Sequence, residues 1–145
     1  MFNPLAPLLA IALLIASAPV AAAPIHQLRI YQLEPTKIAV FHARFRDHAA
    51  RIMRRHGFRI LAMWDTKSAG GPEFAYLLEW PDEAAMKAGW AAFMADEEWS
   101  AIKARTREQH GAIMGRIEER VMLPTSYSPM IGLASSRRMA SDDRR

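Results

Sequence analysis

From His26 to Leu33 polar and apolar residues alternate, Leu28 and Ile30 against Gln27, Arg29 and Tyr31, which predicts a strand. Pro35 ends it, and Thr36 stands at the N-cap position, where a hydroxyl accepts an orphan backbone N–H. Ile38, Phe41, Phe45, Ile52 and Met53 then recur at helical spacing, with Arg44, Asp47, Arg51, Arg54 and Arg55 opposite them. That pattern predicts a helix over 37–56, closed by Gly57 in the position that favours a left-handed turn. Residues 58–65 and 73–80 read as two more strands, separated by a flexible loop over 66–72. Pro81 and Asp82 open a helix with Met86, Trp90, Phe93 and Met94 as its buried stripe. Asp96 caps a further helix running through Trp99 and Ile102 to about Gln109, and 113–123 is the last strand, cut off by Pro124.

Strand, helix, strand, strand, helix, strand is the β-α-β-β-α-β order of a ferredoxin-like α+β fold, a four-stranded antiparallel sheet with its helices on one face. The other face is left bare and must be polar or covered. It carries apolar residues among charges, so a second copy is the economical cover. The expectation is a two-fold homodimer, a dimeric α/β barrel in which two sheets meet.

Composition changes the picture at the two ends. The first 25 of the 145 residues contain no Lys, Arg, Asp or Glu, and residues 8–15 are uninterrupted apolar. Pro7 and Pro19 leave only eleven residues of helical stretch, too few for a span of about 20 and suited to a signal peptide. Val20 and Ala22 supply an A-x-A-like cleavage site, so 1–22 reads as an export leader and 24–124 as the domain. The terminal amine of Met1 is the leader's one positive charge. A periplasmic or secreted chain without cysteine has no disulfide, so about 100 residues of packed core must stabilise it. Residues 125–145 lack period and read as a partly disordered tail. The tail also holds part of the +4 net charge, in Arg137, Arg138, Arg144 and Arg145. The rest is scattered with acids and lacks the aromatic alternation of a base-stacking surface. No nucleic-acid partner is therefore expected, nor stable membrane insertion after leader cleavage; an uncleaved anchor or an odd first helix is the alternative reading of the first residues.

Five short segments in order resemble the NIPSNAP family, a branch of the dimeric α/β-barrel superfamily. They are Leu28-Arg29-Ile30-Tyr31, His56-Gly57-Phe58 with Trp64, Leu78-Glu79-Trp80, Asp96-Glu97-Glu98-Trp99, and Leu123-Pro124-Thr125 with Ser128-Pro129. The resemblance covers roughly 26–130 and implies the ferredoxin-like dimer. Gln27 replaces an acid common in the family, and Pro81 replaces a final aromatic. The family is poor in established chemistry, so the resemblance informs fold more than activity. Its barrel relatives include haem-binding proteins with an axial His on a helix and cofactor-free monooxygenases.

Strand alternation then sorts the polar residues. With Leu28 and Ile30 under the helices, Gln27, Arg29 and Tyr31 should face the barrel. Glu79 is costly under helices without a partner and is placed in the barrel beside Arg29. With Ile117 and Val121 towards the helices, Arg116, Glu118 and Arg120 join them. Arg29, Tyr31, Glu79 and Glu118 should therefore cluster, either as an ion-pair network fixing the interface or as the polar floor of a ligand pocket. His48 falls on the apolar stripe of the first helix, where it is a boundary histidine or an axial haem ligand. His56 suits a helix C-terminus. His42 and His48 point apart, and His48 and His56 lie about 12 Å apart by helical rise, so no metal site is expected. No serine sits in a nucleophile elbow, and the four tryptophans read as core. The leading expectation is a small apolar or aromatic molecule bound in the barrel without established catalysis. The alternatives are a cofactor-independent or haem-dependent monooxygenase and a protein-interaction module.

Overall fold

The structure is a computed structural model, and it describes residues 23–129. The expected leader over 1–22 and the expected tail beyond residue 129 lie outside the described residues. The sheet is built from β1 (Ile25–Leu33), β2 (Arg59–Ser68), β3 (Gly71–Trp80) and β4 (Met114–Met122). Its order is β2-β3-β1-β4 with every pair antiparallel, as the ferredoxin-like reading requires.

Between β1 and β2 the chain makes a short 3-10 turn over Pro35–Lys37 and then one continuous helical run. This run comprises α1 (Ile38–Arg44), a π-helical turn over Phe45–Ala49, and α2 (Ala50–Arg55). Thr36 does not cap it: its hydroxyl donates to Glu34 at 3.4 Å, because the 3-10 turn delays the helix start to Ile38. Gly57 ends the run at φ +82°, where a side chain would be strained. The expected flexible loop over 66–72 is instead a tight hairpin in which Ser68 pairs with Gly71. Gly71 takes φ +111° there, and the Gln32 side chain donates to the Gly70 carbonyl at 2.6 Å, so strand pairing continues almost to the tip.

Two aspartates start the later helices. Asp82 accepts from the Ala85 N–H at 2.7 Å and opens α3 (Glu83–Met94). Asp96 accepts from the Trp99 N–H at 2.9 Å and opens α4 (Glu97–His110). Each such cap contributes about 1 kcal/mol. All helices lie on one face of the sheet, where Phe41, Phe45, Ile52 and Met53 meet Phe58, Phe74, Tyr76, Leu78 and Trp80. Phe93, Trp99 and Ile102 extend this core under α3 and α4. Met94 leaves the expected stripe and is 54 % exposed, and the buried residues of α3 are Met86, Gly89 and Phe93.

The opposite sheet face carries no helix. Leu28, Ile30 and Leu77 form its half-buried apolar centre, with Ala75 buried beside them. Trp64 stands next to Ala75 in the register and is 48 % exposed, so it is not a core residue.

Candidate functional site

The helix-covered side of β1 is the reverse of the one its polarity suggests. Gln27, Arg29 and Tyr31 lie under the helices, and Leu28 and Ile30 line the open face. The reason is that each polar group has a partner beneath the helices. The Gln27 carboxamide oxygen accepts the indole N–H of Trp80 at 3.0 Å and of Trp90 at 2.9 Å. The Tyr31 hydroxyl is 2.8 Å from that of Tyr76. Arg29 pairs with Glu119 on β4 and packs its guanidinium 4.4 Å from the Trp90 ring centroid and 5.6 Å from that of Tyr31. A buried polar group with partners costs little, so the alternation reads correctly and the choice of side does not.

On the other two strands the expected sides hold. Glu79 and Glu118 are on the open face, as are Arg116 and Arg120, while Ile117 and Val121 turn towards the helices. The four residues expected to cluster are therefore divided by the sheet, Arg29 and Tyr31 on one side and Glu79 and Glu118 on the other. Arg29 takes Glu119 as its acid, the residue directly across from it in the β1–β4 register.

Each side holds its own polar assembly. On the open face Glu79 binds Arg59 and lies 3.5 Å from His26, whose Nε2 is buried without a hydrogen-bond partner. At the β4 edge Arg120 binds Glu118, with Arg116 at 3.8 Å. These charged groups ring the apolar centre formed by Leu28, Ile30 and Leu77. Under the helices, burial pushes the Tyr76 hydroxyl well above the ordinary tyrosine range. Burial also opposes the charge on Arg29, but Tyr31, Tyr76 and Glu119 outweigh it and raise its pKa. Its Nε is buried without a partner.

His48 sits in the π-helical turn, half-buried, and lines an open cleft of about 430 Å3 between the first helical run and α4. Arg44 and Asp47 lie on the same wall, and Ile102, Arg105, Thr106 and His110 on the other. His42 points elsewhere, to Asp65 on β2 at 2.9 Å. His56 does complete its helix, and it also meets Asp96 at 2.7 Å, a link between α2 and the start of α4. Among the described residues no group of three or more His, Asp and Glu side chains is placed to hold a metal ion. No helix among them is long and apolar enough to cross a membrane.

An antiparallel sheet ordered β2-β3-β1-β4, with one helical layer and one open face, defines a ferredoxin-like α+β protein. The NIPSNAP family model matches residues 26–129, and the chain belongs to the NIPSNAP family. Solved structures share the fold. A NIPSNAP family protein from Agrobacterium tumefaciens is 18% identical, with a TM-score of 0.65 over 74% of this chain and 99% of its own. A NIPSNAP-like domain protein from Burkholderia xenovorans is 23% identical, with a TM-score of 0.63 over 75% of this chain and 91% of its own. A further A. tumefaciens nipsnap family protein, described as of unknown function, is 18% identical with a TM-score of 0.62, over 73% of this chain and 92% of its own. No curated protein matches the chain.

Proposed function

We propose that this NIPSNAP protein is exported and works as a two-fold dimer whose open sheet faces meet around a small apolar or aromatic molecule. The observation that carries this reading is the composition of the open face: Leu28, Ile30 and Leu77 in the centre, ringed by Glu79 with Arg59 and by Glu118 with Arg120. A sheet face of this kind is stabilised by cover, and an identical face offers both the apolar centre and complementary charges. Trp64, half exposed beside that centre, offers a flat ring for an aromatic guest. The apolar run before residue 24 supports export, and the absence of cysteine is consistent with a domain that relies on packing and association rather than disulfides.

Light scattering and native mass spectrometry on material purified from its own host test the reading. A dimer carrying extra small-molecule mass is the expected result. A clean monomer overturns the barrel, and a dimer without a guest turns the reading towards a protein-interaction module. A mature chain that still begins at Met1 overturns export.

A further inference from the structure

The strand register collects one polar row on the open sheet face. Arg59, Glu79, His26 and Met122 stand side by side across β2, β3, β1 and β4, at the end of the face where β1 begins. The next row along β1 is apolar, with Leu28 beside Leu77, and Ile30 follows it. Trp64 stands across Ala75 from Ile30. His26 and Glu79 form the middle of the polar row. Both lie deep for a face without helices, their side chains only 10 % and 11 % exposed.

At that depth an unmade hydrogen bond is costly. The His26 Nε2 lies 3.5 Å from one Glu79 oxygen and makes no hydrogen bond there or, among the described residues, anywhere else. Arg59 binds the other Glu79 oxygen and matches its charge. A buried ring nitrogen without a partner destabilises the fold, and a partner of the right kind removes that cost. Charge and geometry define the kind. With Arg59 and Glu79 already balanced, the position calls for a neutral group. A hydroxyl suits it whichever ring nitrogen carries the proton, because it both donates and accepts. Arg59 and Met122, at the two ends of the row, are partly exposed and can swing aside to admit it.

We infer that the guest of the open face is a hydroxylated fused-ring aromatic, its hydroxyl hydrogen-bonded between His26 and Glu79 and its rings lying over Leu28 and Leu77 towards Ile30 and Trp64. This rests on the reading of that face as a guest site and gives the guest its polar end. Strand geometry sets the length: from His26 it is about 7 Å to Leu28 and about 13 Å to Ile30 at the rise of an antiparallel strand. A single phenol ring anchored at His26 reaches Leu28 and stops. Two fused rings extend past Leu28 towards Ile30 and use more of the apolar strip.

NMR titration of the purified, isotope-labelled protein with 2-naphthol, 2-methylnaphthalene and phenol at pH 7 tests this. The naphthol should bind at least about tenfold tighter than either of the others, one of which lacks the hydroxyl and the other the second ring. It should shift the ring nitrogens of His26 and the indole N–H of Trp64, while those of His42, His48, His56 and His110 hold still. His26→Leu should bind 2-naphthol and 2-methylnaphthalene alike. If that variant does not fold, the His26 shifts in the wild type decide the question alone. No binding of 2-naphthol at about 1 mM overturns the inference. So does equally tight binding of 2-methylnaphthalene by the wild type, or binding that leaves the His26 nitrogens unmoved. A dimer that takes 2-methylnaphthalene as readily as 2-naphthol keeps the barrel reading while this inference falls. A monomer that holds 2-naphthol at His26 leaves this inference standing while the dimer reading falls.

Discussion

Gln27 in β1 accepts a hydrogen bond from the indole of Trp90, 63 positions later, at 2.9 Å. The same oxygen accepts from Trp80 at 3.0 Å, and Gln27 is 1 % exposed. One carboxamide therefore satisfies two ring N–H groups and ties β1 to both β3 and α3.

Replacing Gln27 with Leu should destabilise the domain by about 2–4 kcal/mol, since it leaves one buried and one half-buried indole N–H without an acceptor. Urea unfolding, followed by far-UV circular dichroism, measures it. A loss under about 0.5 kcal/mol would mean that water or another group takes over both bonds.

This contact also shows what the sequence withheld. Element order, the caps at Asp82 and Asp96, and the stop at Gly57 are local signals, and each is visible in a few consecutive residues. The side that β1 presents to the helices is not local. Gln27, Arg29 and Tyr31 look like the wet side of a strand until their partners are known, and those partners lie on β3, β4 and α3. Two tryptophans needing acceptors near an otherwise apolar strand were the available clue. Trp64 illustrates the reverse: a large apolar residue reads as core, but its place on β2 opposite Ala75 puts it on the open face. The cleft was out of reach for another reason. Val40, Arg44 and His48 recur at ordinary helical spacing on one face, but the α4 residues that stand opposite them are set by tertiary packing and not by any local pattern.

Gly89 gives a packing prediction. A Cβ there would lie 2.7 Å from two ring carbons of Trp80, which is only 1 % exposed and has no room to move. Gly89→Ala should gain about 1 kcal/mol of helix propensity and still destabilise the protein by about 1–3 kcal/mol net. A raised thermal midpoint in this variant would show that α3 slides outward at little cost.

Asp96 gives an acid-side prediction. His56, the Trp99 N–H and Arg55 hold its carboxyl well below the usual carboxylate range. A carboxyl lowered by folding stabilises above its unfolded pKa, near 3.8, and that contribution is lost as the pH falls below it. Asp96→Asn keeps an N-cap side chain but removes the charge. Thermal midpoints measured from pH 7 down to about pH 2 should show the variant less stable at neutrality and converging with the wild type in acid. Parallel curves would mean that the charge adds nothing beyond the cap.

Tyr76 gives the alkaline counterpart. It is fully buried, its hydroxyl 2.8 Å from that of Tyr31, and burial raises its pKa well above 10.0. The unfolded chain releases this proton near pH 10 while the folded chain keeps it, so the folded state binds more protons and stability falls as the pH rises. One such group contributes a slope of about 1.4 kcal/mol per pH unit above that point. Tyr76→Phe cannot ionise, and it also leaves the Tyr31 hydroxyl without its partner, at a cost of about 1 kcal/mol near neutrality. The variant should therefore be the less stable protein at pH 7, and the gap should close or reverse by about pH 11. Urea midpoints at the two pH values decide it. A gap that stays constant would mean that Tyr76 ionises as readily in the folded protein as in the unfolded chain, and that the buried hydroxyl pair is open to solvent.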